Sequence, residues 1–293
     1  MSRPPLIDAH HHLWDLSVRD QDWITGEALA PLRRDFTLAD LAPRARAAGV
    51  TATVVVQTVT VPEETPELLA LAADSDLVAG VVGWTDLTAP GVGEALAALR
   101  AGPGGDRLAG IRHQVQLEGD PRWLLRPDAL RGLAAVAAAG LVYDLVVLPH
   151  QLPAAAEAAD RLPELTFVLD HLGKPPIAAG DRGQRADWAA AVRRLAARPN
   201  TVCKLSGMVT EADWHRWTVA GLRPYAEVVL EAFGPERLMF GSDWPVCRLA
   251  GGYRRVLAAA RELTEGLAPA ERDAVFAGTA ARVYRLSPPA RSG

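Results

Sequence analysis

Residues 6–12 read Leu-Ile-Asp-Ala-His-His-His, an apolar start that ends in a cluster of imidazoles. Side chains alternate faces along a strand, so a strand here puts Asp8, His10 and His12 on one face and Ile7, Ala9 and His11 on the other. Two imidazoles on one face at a strand's end can hold one metal ion or one anion between them. A tag remnant is the bland alternative, but a tag would be longer and would precede the chain's own first strand. Other groups fit for chemistry recur along the chain: Arg112-His113-Gln114, His150-Gln151, Asp170-His171, Lys204 with Ser206, and Ser242-Asp243-Trp244. A His-x-His pair joined by a third imidazole, His171, and a carboxylate, Asp243, makes a donor set suited to Zn²⁺.

These groups need elements to bring them together, and the hydrophobic pattern supplies a repeating one. Residues 50–57 form a nearly continuous β-branched run, the mark of a strand buried on both faces. Further strands are expected at 78–84, 108–116, 141–148, 165–171, 201–205 and 238–242. Helices are expected between them at 38–48, 63–75, 91–101, 122–139, 153–161, 185–197 and 219–233, with 252–265 and 269–284 closing the chain. Thr37 reads as the N-cap of the first helix and Gly49 as its stop. Strand followed by helix recurs eight times, which in 293 residues points to a single (β/α)₈ TIM barrel spanning 1–293. In that architecture chemistry sits at the C-terminal ends of the strands. Six of the 7 histidines lie at or just beyond predicted strand ends, His215 being the exception, so independent strands converge on one rim. Parity sends Asp170 to the face opposite His171, where it would orient a neighbour or pack against helices. Residues 13–36 make a long, irregular, aromatic-rich connection expected to shape the pocket.

Composition excludes several classes of function. A net charge of −4 with scattered lysines gives no field for nucleic acid, and no run of like charge suggests a membrane partner. No apolar run is long enough to cross a bilayer, and Met-Ser-Arg-Pro-Pro leaves no room for a signal peptide before the histidine strand. Cys203 and Cys247 are too few for a disulfide scaffold and are expected as free thiols in the cytoplasm. The expected partner is a small-molecule substrate, and association into a homo-oligomer is left open.

Four stretches together carry a family resemblance: Leu-Ile-Asp-Ala-His-His-His-Leu-Trp-Asp at 6–15, Val-Leu-Asp-His-Leu-Gly-Lys-Pro at 168–175, Cys-Lys-Leu-Ser-Gly-Met at 203–208 and Leu-Met-Phe-Gly-Ser-Asp-Trp-Pro at 238–245. The sequence resembles the amidohydrolase superfamily, in particular its branch of sugar-lactone and pyrone-dicarboxylate lactonases. The resemblance implies a (β/α)₈ fold, hydrolysis of the ester bond in a lactone ring, and a site at His10, His12, His171 and Asp243. A binuclear member would need a bridging lysine or glutamate at the end of the fourth strand, where Arg112, His113 and Gln114 stand. At most one divalent ion is therefore expected, Zn²⁺ by preference, and catalysis without metal is the alternative in this branch. Asp243 is the expected general base, with His171 beside it; Arg112, His113, His150, Gln151, Trp84 and Lys174 are the expected substrate contacts. Two rival readings remain on the same scaffold. One is a Zn²⁺-dependent decarboxylase in which His150 is also a ligand, and the other is a non-catalytic barrel that binds a sugar acid.

Overall fold

A computed structural model describes residues 5–286. Its eight strands are β1 (Ile7–His11), β2 (Ala52–Val56), β3 (Val78–Gly83), β4 (Leu108–His113), β5 (Val142–Leu145), β6 (Phe167–Leu169), β7 (Thr201–Leu205) and β8 (Leu238–Phe240), all parallel and paired in sequence order. The helices are α1 (Gly26–Leu29), α2 (Leu38–Ala48), α3 (Glu64–Ala73), α4 (Val92–Ala101), α5 (Pro127–Ala138), α6 (Leu152–Arg161), α7 (Arg182–Ala196), α8 (Val219–Phe233), α9 (Tyr253–Leu263), α10 (Pro269–Asp273) and α11 (Thr279–Val283). The barrel closes at the rim itself: Asp243 N–H donates to the His10 carbonyl at 2.8 Å and His12 N–H to the Trp244 carbonyl at 2.7 Å. Closure therefore pins the backbone of the first and last strands beside each other at the residues expected to do chemistry.

Two apolar layers hold the strands. Leu145, Phe167, Leu169, Cys203, Leu205, Leu238 and Phe240 face the helices, while Val54, Val56, Val82, Val142, Val168, Val202 and Met239 fill the lumen. Ala280, Val283 and Tyr284 pack into the lumen cluster beside Ile7 and Ala52, at the starts of their strands, so α11 plugs the end away from the site. Local signals act as the sequence implies at α2, where Thr37 N–H donates to Asp40 Oδ2 at 3.0 Å and Gly49 ends the helix at φ 86.

One expectation fails in an informative way. Asp8 lies opposite Thr53 but His11 lies opposite Val55, so three steps on β1 face two on β2. This bulge breaks the alternation. Ile7 and Ala9 point into the lumen with His10 and His12, whereas Asp8 turns outward to Tyr253 of α9, whose hydroxyl donates to Asp8 Oδ2 at 2.9 Å. Asp8 and His10 thus sit on opposite faces. Boundaries shift elsewhere for local reasons: Pro127 starts α5 after a 3₁₀ turn at Trp123–Leu125, and the expected 269–284 helix is interrupted by a π turn at Ala274–Gly278. The 13–36 connection is less irregular than expected, since Trp14 and Phe36 pair across it and α1 lies within it.

Candidate active site

His12, His171 and Asp243 line the floor of a cavity of about 590 Å³ on the C-terminal rim, with His10 buried against them. His10 Nε2 is 3.1 Å from His12 Nε2, and Asp243 Oδ1 lies 3.7 Å from His12 Nε2, 3.9 Å from His171 Nε2 and 4.0 Å from His10 Nε2. Two of the four are held in left-handed backbone. The chain leaves β6 through His171 (φ 53), Leu172 (φ 56), Gly173 (φ 69) and Lys174 (φ 53), and Asp243 sits at φ 56. Non-glycine residues in this region cost on the order of 1–2 kcal/mol each, and such strain persists where the surroundings over-determine it. The turn sends both Asp170 and His171 inward, which strand parity forbids. Two glycines make room. A Cβ on Gly207 would lie 2.5 Å from His171 Nδ1, and one on Gly241 would lie 2.6 Å from His10 Cβ.

Beneath the floor lies a buried charge network that crosses the lumen. The Lys204 ammonium reaches Asp144 Oδ2 at 2.6 Å, Asp170 Oδ1 at 3.0 Å and His10 Nδ1 at 2.9 Å. Arg112 pairs with Asp170 Oδ2 at 3.0 Å and donates to the Gln57 carbonyl and side chain. Tyr284 donates to Asp144 from α11's end of the barrel. An ammonium can only donate, so Nδ1 of His10 accepts and the neutral ring carries its proton on Nε2. His12 is oriented oppositely, its Nδ1–H donating to the Val56 carbonyl at 2.8 Å, and His171 Nδ1 meets Ser206 Oγ at 2.9 Å. Burial, and then the Lys204 charge, push His10 well below the usual imidazole range, and burial lowers His171 to about 4. For Asp243 burial acts upward but His171 and His12 outweigh it, holding the carboxyl below its ordinary value. Burial raises Asp144 to about 6 against the pull of Lys204, while the Lys204 charge, with the His10 contact and the Arg112 charge, overcomes burial at Asp170 and holds it well down. At neutral pH His10 and His171 are therefore neutral imidazoles beside the Asp243 carboxylate.

A model of the amidohydrolase family matches residues 7–286. The chain belongs to that family. This amidohydrolase is 44% identical, over 97% of both chains, to the L-fucono-1,5-lactonase of Burkholderia multivorans. It is 40% identical to the L-fucono-1,5-lactonase of Burkholderia ambifaria, over 97% of this chain and 96% of that one. The solved structure of an amidohydrolase from Burkholderia multivorans with bound zinc superposes with a TM-score of 0.91 at 42% identity, covering 97% of this chain and all of that chain.

Not every candidate residue of this amidohydrolase reaches the site. His150 is exposed on the 3₁₀ turn Pro149–Gln151 and does not line the cavity, because the chain turns away after β5. Gln151 is buried in structural duty, donating to the Val115 carbonyl at 2.8 Å and accepting from Leu148 N–H. Trp84 and His113 form a separate cluster: the indole donates to His113 Nδ1 at 3.0 Å, and the His113 ring stacks on Trp123 and meets Glu118 at 2.7 Å. Arg112 borders the cavity but is 3% exposed, its two terminal nitrogens held by Asp170 and Gln57 and its Nε buried without a partner, so it braces the floor. Lys174 does line the cavity, paired with Glu211. Sequence reasoning missed Asp144, Tyr284 and Glu211, and gave Lys204 no role. An aspartate and a lysine inside the apolar runs of β5 and β7 were the available signal, since buried charge requires a partner.

The donor set fits a divalent ion in number and type. The groups His10, His12, Asp243 and His10, Asp170, His171 each bring ligand atoms within 4.8 Å of one another. His12 and His171 also have their Nδ1 atoms hydrogen-bonded, the outer contact that orients a metal ligand. His10 fits once its Nε2 proton is displaced, with Nδ1–H then turned to Asp170 Oδ1 at 3.4 Å in place of Lys204.

Proposed function

We propose that this amidohydrolase opens the ring of a neutral sugar lactone. The observation that carries the reading is the convergence of three imidazoles and the Asp243 carboxylate beneath a cavity whose cations are already neutralised. Arg112 is paired with Asp170, Lys174 with Glu211, and Arg19 in a two-pronged contact with Glu67. Asp20 is paired with Arg33, and Asp22 adds negative charge to the wall. A hydroxylated neutral ring suits such a cavity, whereas a dicarboxylate would lack a free counter-charge. The kinship with the two L-fucono-1,5-lactonases supports the same substrate class.

In the mechanism, water attacks the lactone carbonyl while Asp243 Oδ takes its proton. His171 Nε2–H stabilises the oxyanion when Ser206 donates to its Nδ1, while His10, buried beneath, gives its Nε2 proton to His12 Nε2 at 3.1 Å and fixes that ring. The bond from acyl carbon to ring oxygen then breaks, and Asp243 returns the proton to that oxygen. The product is a hydroxy acid that releases one proton to the medium. A divalent ion, Zn²⁺ by donor type, would be held by His10, His12, His171 and Asp243 and would supply Lewis acidity toward the carbonyl. Lys204 and Asp170 orient His10, and Lys174 borders the bound ring. The decarboxylase alternative leaned on His150, which lies away from the donor set, and the non-catalytic one leaves the strained His171 and Asp243 without a use. No helix among the described residues is long and apolar enough to cross a membrane. Buried, free Cys203 and Cys247 suit the cytoplasm.

Proton release on an aldonolactone panel, run beside carbon dioxide detection on aromatic acids, tests the reaction type. One proton per lactone consumed, with no carbon dioxide, is expected. Carbon dioxide release without ring opening would overturn it.

A further inference from the structure

We propose that Lys174 and Glu211 form a hydroxyl-reading pair that selects the substrate by two adjacent hydroxyls on its ring. The proposal rests on the lactone reading and deepens it. Lys174 is thrown into the cavity by the left-handed turn that also presents His171, and its ammonium lies 2.5 Å from Glu211 Oε1 on the loop after β7. Both side chains are 23% exposed, so the pair belongs to the cavity wall and not to the outer surface. Their backbones are tied down: Lys174 N–H donates to the His171 carbonyl at 2.8 Å, and the Glu211 carbonyl accepts from Ala178 N–H at 2.9 Å. Three residues beyond Glu211, the Trp214 indole also lines the cavity, fixed by Nε1–H donating to the Thr210 carbonyl at 2.9 Å.

Hydrogen-bonding capacity makes this pair different from the other charged groups of the wall. Arg112 spends its two terminal nitrogens on Asp170 and Gln57 and its remaining Nε is buried, and Arg19 spends its fork on Glu67. Lys174 gives one proton to Glu211 and keeps two, and Glu211 keeps Oε2, with no other side-chain hydrogen-bond partner for either among the described residues. A donor beside an acceptor, joined in a net-neutral pair, complements a vicinal diol: one hydroxyl donates to the carboxylate while its neighbour's oxygen accepts from the ammonium. Neutrality lets the pair bind hydroxyls without drawing anions into the cavity. The Trp214 face gives the C–H side of the ring an apolar surface. The hydroxyls read would be those on the side of the ring nearest His171, since Lys174 lies only three residues from it.

The test measures kcat/KM for a six-membered aldonolactone carrying adjacent hydroxyls and for unsubstituted δ-valerolactone, in wild type, Lys174→Met and Glu211→Gln. The readout is the ratio of the two values. Each variant should lower that ratio about tenfold or more, chiefly through KM for the hydroxylated ring, because a site built to bond a hydroxyl rejects rings lacking it. The double variant should lose little beyond the worse single one, since either change disables the pair. A merely structural role would lower both substrates together and leave the ratio unchanged, and that result overturns the proposal. Should either variant fail to fold, deoxy-lactones lacking one hydroxyl of the diol are measured with wild type. Losing one hydroxyl should then cost a similar factor, and equal turnover of all deoxy-lactones would overturn the pair. Wild type that opens neither lactone refutes the lactone reading itself, a result distinct from turnover with an unchanged ratio.

Discussion

Replacing Asp243 by asparagine isolates the base from the shape that carries it. Asp243 occupies left-handed backbone at φ 56, and asparagine tolerates that region as aspartate does, so the turn between β8 and the Trp244-Pro245 step should survive. The amide keeps the van der Waals outline beside the three imidazoles, which lie 3.7 to 4.0 Å from Oδ1. What disappears is the negative charge and basicity that take the proton of water. General-base contributions run from about 10² to 10⁴ in rate, or roughly 2.7 to 5.5 kcal/mol of barrier. The wild-type carboxyl is held below its ordinary value and is a weak base, which places the expected loss nearer the lower bound, about 10² to 10³ in kcat. The assay is lactone turnover followed by proton release, with thermal melting on the same preparation. Asp243→Ala should melt lower than Asp243→Asn, because alanine is strained at this φ. A folded Asp243→Asn protein with near-normal kcat would refute the assignment and move the base to His171.

Lys204→Met should cost about 3–5 kcal/mol of stability in chemical denaturation, because Asp144 would be left buried without a cation and Asp170 with Arg112 alone; unchanged stability would mean the network is neutralised some other way. Stability should also fall between pH 7 and pH 5. His10, His11 and His171 all sit below the ordinary value of 6.5 in the folded state, His11 at about 3 and His171 at about 4, so the unfolded chain binds more protons there and their contribution is lost as pH drops. His11 and His171 should each remove about 2 kcal/mol and Asp144, raised to about 6, should return about 1, so these three groups leave a net loss of about 3 kcal/mol, with His10 acting in the same direction as the other imidazoles; a flat profile would contradict the neutral buried imidazoles. Gly207→Ala should displace His171 and lower kcat on the order of a hundredfold. Gly180→Ala, equally left-handed at φ 62 but with open space around its Cβ, should cost only stability; equal activity of the two variants would show that the close approach to His171 does not matter.

The barrel was legible because its evidence is repetitive. Eight apolar runs alternating with alanine-rich amphipathic stretches leave few topologies, and errors of a few residues at each boundary do not change the count. The site was legible where residue type and strand end coincide, as at His10, His12, His171 and Asp243. It was illegible where geometry departs from regular alternation. The bulge between Asp8 and His11 and the left-handed run from His171 to Lys174 each send to one side residues that parity would separate, or separate residues that parity would join. His113 and His150 show the converse: a histidine just past a strand still depends on which way the loop turns, and nothing local fixes that for His150. The Lys204–Asp144–Tyr284 network needs three elements far apart in sequence, so only the closed barrel reveals it.

The most direct test of the account is the relative kcat/KM of the wild-type protein for neutral L-fucono-1,5-lactone and for an anionic dicarboxylate lactone, measured under identical conditions. Neutralised cations and an acidic wall predict that the neutral ring is favoured by about a hundredfold or more. Equal values, or preference for the dicarboxylate, would contradict the claim that this cavity is built for a neutral sugar lactone.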